Sequence, residues 1–144
     1  MDADKVRAIT IDCTQLVYRA MHHTDAARWE DLIALYAENG KLARPTDPDN
    51  PIVGRVNILA SLRARPPLTT RHLISNVVVE VQSETAAHIT STVVRFSGPV
   101  KTMLPTRADK ILVGTFVDEV ALIDGEWRFV SRGGSMGLEL NCGE

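Results

Sequence analysis

The side chains in this sequence best suited to moving a proton are Asp25 in "MHHTDAARWEDL" and His72 in "TRHLISN". A neutral imidazole accepts a proton near pH 7, and a carboxylate bonded to its second nitrogen orients it and stabilises its charge. The two lie far apart in the chain, so the chemistry depends on a fold that brings them together. Each also has a plainer reading. Asp25 directly precedes "AARWEDL" and could serve as a helix N-cap, and His72 alone could be a hydrogen-bonded core or rim histidine. Asn76 follows His72 by four residues, so both are expected on the same face of a strand. There its amide could donate to a developing oxyanion or satisfy a buried backbone group. Arg132 and Arg95 could hold a carboxylate, an enolate or a leaving anion. Arg132 reads equally as a partner of Asp118 or Glu119 across the last hairpin, and Arg95 as a rim residue. Trp29, Tyr36, Phe116 and Trp127 look like core or pocket wall. Tyr18, on or near an apolar helix stripe, is either core or a proton donor.

The rest of the inventory argues against several function classes. His22 and His23 are adjacent on a helix and point ~100° apart, which suits a solvated helix end better than one metal ion. No HExxH spacing and no Cys/His metal spacing is present, and Cys13 reads as a buried, inert thiol. Cys142 sits in the terminal "NCGE", which is expected to be mobile. "SRGGSMG" follows a strand without a helix after it and so lacks the context of a nucleotide loop. Neither a metal nor a cofactor is expected. With a net charge of −2 and no basic stripe, nucleic-acid binding is not expected. No apolar run approaches the ~20 residues of a membrane span. The polar, acidic start "MDADKVRAIT" lacks the basic and apolar regions of a signal peptide, so a cytoplasmic location is the expectation.

These residues must be positioned by one domain spanning residues 1–144. An apolar content of 44% is that of a globular protein able to bury about two-thirds of its unfolded surface. Val6, Ile9, Cys13, Leu16, Val17 and Ala20 recur at helical spacing and predict a helix from 4 to about 23. Asp2 or Asp4 would cap its start. A second helix is expected from about 26 to 36, ended by "ENG". "KLAR" reads as a short strand, and "PTDPDNP" as a loop. A third helix over 54–64 would turn Val56, Leu59 and Leu62 inward, with Pro66 and Pro67 beyond it. Four long strands come next. Val77, Val79 and Val81 show period two, and Asp124-Gly125 marks a two-residue hairpin. "QSETA" marks a weaker turn. Residues 97–109 make a connection long enough for a rim or lid. His88 is placed on the surface of a strand. Helices first and antiparallel strands after give an α+β fold with the helices on one face of the sheet.

The order of these pieces resembles the NTF2-like superfamily and its SnoaL-like branch. "DAARWEDLIALYAENGKL", "GRVNILASL", "RHLISNVVVEV" and "VGTFVDEVALIDGEWRFVSR" carry the resemblance over roughly residues 5–135. It implies a cone, in which a strongly curved, mainly antiparallel sheet wraps a pocket covered by three N-terminal helices. It also implies homodimers or trimers formed through the sheet, for which the valine-rich face of 77–81 is the candidate surface. In dehydratase and dehydrochlorinase members an Asp before the second helix pairs with a His opening the first long strand, positions held here by Asp25 and His72. Arg132 matches an Arg of the final strand that serves the site in some members. Where those enzymes place a Tyr or Lys five residues before the Asp, this chain has Ala20, with Tyr18 two residues further back. Arg95 lies in the region where scytalone dehydratase carries a second pocket His. The resemblance implies a cofactor-independent acid–base enzyme, a lyase or isomerase acting on a small hydrophobic cyclic molecule. The alternative is a non-catalytic binding or assembly module like the β subunits of ring-hydroxylating dioxygenases.

Overall fold

The apolar stripe of the first helix determines how the chain packs. In the computed structural model, which describes residues 1–142, helix α1 spans Ala3–Asp25. Its start is capped by the Asp2 carboxylate, which accepts from the Lys5 N–H at 2.8 Å. Ile9, Cys13, Leu16, Val17, Ala20 and Met21 are buried against the inner face of the sheet. Fully burying each of the larger side chains stabilises the fold by about 1.5–3 kcal/mol.

The second helix is shorter than the sequence suggests. Helix α2 covers only Trp29–Ile33. Tyr36 and the "ENG" run, expected to belong to or end that helix, instead lie in strand β1, Tyr36–Leu42. Tertiary pairing overrides local helix preference here, because β1 hydrogen-bonds to the last strand of the chain. The junction is held by two arginines: Arg55 donates to the Tyr36 carbonyl at 2.8 Å and Arg128 to the Ala34 carbonyl at 2.6 Å. A two-residue strand β2, Ile52–Val53, comes after the proline loop and pairs antiparallel with β1. Helix α3 spans Arg55–Arg63 and buries Ile58 and Leu62. These residues are four apart and so share one face. Val56, expected inward, is on the opposite side and 81% exposed.

Strands β3 (Thr69–Ser83), β4 (Ala86–Gly98), β5 (Lys110–Ile123) and β6 (Glu126–Asn141) form consecutive antiparallel pairs. The sheet order is β2-β1-β6-β5-β4-β3, and only β1 and β6 run parallel. Its two edges, β2 and β3, do not meet, so the curved sheet stays open. The fold is thus α+β, with three N-terminal helices packed on a curved, mainly antiparallel sheet. Asp124 and Gly125 have φ of 52° and 80°, the left-handed pair that a type I′ hairpin requires. The connection 99–109 is irregular, as its prolines require.

A bulge in β3 changes what the sequence pattern predicts. Ser75 faces Thr92 and Val78 faces Thr90, so Asn76 and Val77 together oppose Ser91 alone. Asn76 takes up the extra residue at φ 51°. Past the bulge the inward set changes parity. Val77, Val79 and Val81 pack against the core, so this face serves the protein's own interior and is not free for a partner copy. Cys13 is buried, and desolvation pushes its thiol up to about 12, as an inert core thiol should behave. Cys142, expected in a mobile tail, donates its N–H to the Asp109 carbonyl at 2.9 Å. Gly143 and Glu144 lie outside the described residues.

Candidate active site

Asp25 is the last residue of α1, and the chain turns sharply there. Ala26 N–H bonds back to the His22 carbonyl, and Ala27 adopts φ 53°. The N-cap of α2 is Arg28, with no side-chain cap. Asp25 therefore does not cap the second helix, and its carboxylate is directed to β3. Oδ2 accepts the His72 backbone N–H at 2.8 Å, and Oδ1 accepts the Thr70 hydroxyl at 2.9 Å. The same Oδ1 lies 2.5 Å from Nδ1 of His72. Three donors converge on one carboxylate whose side chain is 12% exposed, as is that of His72. Burial alone would raise the Asp25 pKa. The bonds from the His72 side chain and backbone, and from Thr70, outweigh it and hold the carboxyl below its usual range. Asp25 is therefore a carboxylate at neutral pH and can only accept, which makes Nδ1 of His72 the protonated nitrogen. In the neutral ring that tautomer puts the lone pair on Nε2, and His72 is part of the cavity wall.

That cavity has a volume of about 640 Å³ and opens between the helices and the concave side of the sheet. Asp25, His72 and Thr70 line it together with Trp29, Tyr36, Phe116 and Met136. Its size suits a drug-sized molecule. Among the residues singled out from sequence, Asp25, His72, Trp29, Arg95, Phe116 and Arg132 all reach this one space. Two do not. Tyr18 is 37% exposed on the far side of α1 from Ala20. Asn76 is exposed, because the bulge breaks the alternation that would have kept it on the His72 face.

Arg132 lines the cavity and also has the structural partner that the sequence offered. It is the direct cross-strand partner of Asp118. Its Nε lies 3.1 Å from Asp118 Oδ1, with side chains 2% and 0% exposed. The N–H does not point at that oxygen, and no guanidinium nitrogen of Arg132 has an aligned acceptor. The contact is an ion pair, and the guanidinium also stacks on Phe116 with its carbon 3.8 Å from the ring centre. Burial pushes the Asp118 carboxyl up to about 6 against the opposing pull of Arg132. His88, on the outer face, bonds Glu119 across β4 and β5 at 2.5 Å.

Thr70, Arg44 and Arg65 also line the cavity and were not singled out from sequence. Thr70 had a usable signal, since it stands two residues before His72 and so shares its face on a strand. Arg44 and Arg65 sit in the two connections that flank the proline loop and α3, and only the folded chain joins them. Among the described residues, no group of three or more His, Cys, Asp or Glu side chains could hold a metal ion. Among the described residues, no helix is long and apolar enough to cross a membrane.

The family model for the SnoaL-like domain matches residues 9–133. A comparison with curated proteins returns no match. Among solved structures, a putative scytalone dehydratase from Novosphingobium aromaticivorans superposes with a TM-score of 0.85. It is 24% identical, and the match covers 99% of this chain and 93% of that one. A type 2 hexachlorocyclohexane dehydrochlorinase gives 0.83 at 14% identity, covering 99% and 94%. The type 3 enzyme from Novosphingobium barchaimii gives 0.81 at 14%, covering 97% and 94%. At these identities the likeness is one of fold.

Proposed function

Because the chain belongs to the SnoaL-like domain family, we propose that it is a cofactor-independent acid–base enzyme, a lyase or isomerase, with His72 as its base. The observation that carries this reading is the three-bond clamp of Asp25 on Thr70 and His72 at the wall of a cavity. Nε2 of His72 removes a proton from a small, largely apolar, cyclic substrate. Asp25 stabilises the imidazolium that forms. The Arg132 guanidinium, buried and lacking an aligned acceptor, faces the negative charge that develops on the substrate or leaving group. Proton removal by a positioned base contributes ~10²–10⁴-fold in rate. The structural neighbours named as a dehydratase and as dehydrochlorinases support an elimination, in which the proton leaves one carbon and a hydroxyl or halide leaves the next. An open cavity of about 640 Å³ favours this reading over a non-catalytic module, whose interior would be filled by side chains. The test is product formation from a panel of cyclic β-hydroxy ketones and β-halides, comparing wild type with His72→Gln. Turnover that falls at least a hundredfold supports the proposal, and unchanged turnover sinks it.

Assembly through the sheet is part of the same reading, on a different surface from the one the valine pattern suggested. The register aligns Leu73, Val94, Val113 and Leu138 in one row across four strands of the outer face. Leu73 and Leu138 are 57% and 69% exposed. A second copy of this chain packing on that row would cover them. Sedimentation at a multiple of 15.8 kDa that drops to the monomer in Leu138→Lys is the expected result. A wild-type monomer contradicts it.

A further inference from the structure

The cavity carries far more positive charge than its one carboxylate can balance. Five arginines line it, at positions 44, 63, 65, 95 and 132, against Asp25 alone. Asp25 is already committed to Thr70 and His72. Two of the five have close partners elsewhere: Arg63 pairs with Glu30 at 2.6 Å and Arg132 with Asp118 at 3.1 Å. Arg44 lies 3.8 Å from Asp47, at the outer limit of an ion pair. Among the described residues, Arg65 and Arg95 form no salt bridge. Nε of Arg44 and Nε of Arg95 are buried without a hydrogen-bond acceptor.

These three guanidinium groups come from three separate parts of the chain: the loop after β1, the turn after α3, and β4. They are close enough to repel one another. The Arg65 pKa is lowered first by burial and then by the positive charges of Arg44 and Arg95, and burial also lowers that of Arg95. Folding has gathered like charges in a partly desolvated place, which costs free energy unless an anion occupies it. Buried donors without acceptors point the same way. The cluster is also placed against the candidate base. Arg95 is the direct cross-strand partner of His72, so their side chains leave the sheet on the same face as neighbours.

We propose that Arg44, Arg65 and Arg95 form a carboxylate-binding subsite, and that the molecule taken into the cavity is an organic carboxylate whose apolar body lies against Trp29 and Phe116. The proposal rests on the cavity being the substrate site and deepens that reading by naming the substrate's charged group. The planar, multi-donor guanidinium matches a carboxylate bidentately. With Arg95 beside His72, the bound carboxylate directs the proton to be removed toward Nε2.

The test uses three probes that share one apolar body: 2-naphthoate, its uncharged analogue 2-naphthamide, and 2-naphthyl phosphate. Binding to wild type is followed by calorimetry. Naphthoate is expected to bind at least ~10-fold more tightly than naphthamide. Raising the salt concentration should weaken naphthoate and leave naphthamide unchanged. Arg65→Gln and Arg95→Gln should each remove most of the preference while keeping naphthamide affinity, which also reports an intact cavity. Equal binding of acid and amide, or a preference that survives both substitutions, overturns the subsite. Naphthyl phosphate binding ~10-fold more tightly than naphthoate overturns the carboxylate assignment in favour of a phosphoryl group. If either variant fails to fold, the wild-type acid-to-amide ratio and its salt dependence still decide the matter. The ratio is read without turnover. A lost preference therefore leaves the His72 base standing, and an inactive His72 leaves the preference standing.

Discussion

Replacing Asp25 with Asn removes one charge and almost no volume, and the geometry of the clamp dictates the outcome. The carboxylate accepts from Thr70 Oγ1 and His72 Nδ1 on one oxygen and from the His72 backbone N–H on the other. An Asn whose oxygen kept the first two donors would aim its NH2 at the backbone N–H, leaving two donors face to face. The amide therefore flips. Its oxygen takes the backbone N–H, and its NH2 donates to Nδ1 of His72 and to the Thr70 hydroxyl, which can rotate to accept. Nδ1 then has to be the unprotonated nitrogen, and the ring proton moves to Nε2, where the base's lone pair had been. Three bonds to a charged acceptor become bonds between neutral groups, a loss of about 1 kcal/mol each. The easier burial of a neutral amide offsets part of this, so the net cost is about 1–3 kcal/mol. Urea unfolding measures that cost, and long-range 15N–1H NMR of the imidazole reads the tautomer. Proton abstraction should fall by ~10²–10⁴-fold because the base is blocked. An Asp25→Asn protein that keeps the proton on Nδ1, with stability within ~0.5 kcal/mol of wild type, would refute the reasoning.

Other consequences are smaller or lie elsewhere. Thr70→Val deletes one bond of the clamp and should cost about 1 kcal/mol in urea unfolding while leaving the His72 tautomer unchanged. Arg132→Leu leaves the Asp118 carboxylate buried without a cation and should cost about 3–5 kcal/mol, whereas the double change to Arg132→Leu with Asp118→Leu should recover much of that. Asp118 also sets a pH dependence with a definite sign. Its folded pKa of about 6 lies above the unfolded value near 3.9, so the protonated carboxyl favours the folded state. That contribution is full below pH ~4 and is lost as pH rises through about 6. Urea midpoints should therefore decline from pH 4 to 6.5 in wild type relative to Asp118→Asn. Asp25 acts in the opposite sense, since its depressed folded pKa gives stability that is present above the usual carboxylate range and lost on further acidification.

Local patterning made much of this fold legible. The α1 stripe from Ile9 to Ala20, the four long strands and the Asp124-Gly125 hairpin come from spacing and turn chemistry alone. What the sequence did not show depends on distant partners. Tyr36 and "ENG" leave the helix because β6, some ninety residues on, offers β1 a parallel partner, and no local window contains that strand. Asn76 keeps the spacing that should place it beside His72, and the bulge that expels it has no glycine to announce it. The Asp25–His72 approach was readable only through the resemblance to a known frame, because the two residues are joined by no local pattern. Arg44 and Arg65 were invisible as site residues for the same reason. Each sits in a connection beside prolines, where a charged residue normally signifies a solvated surface.

In the proposed reaction His72, held by Asp25, takes a proton from carbon. Solvent-deuterium incorporation tests it without needing the full reaction. Cyclic ketones and their carboxylated analogues are incubated with the protein in D2O, and NMR tracks the loss of signal at the acidic carbon. Wild type should catalyse the exchange, and His72→Gln should slow it at least ~100-fold, with both proteins folded to the same extent. Exchange at equal rates in the two proteins would contradict the claim.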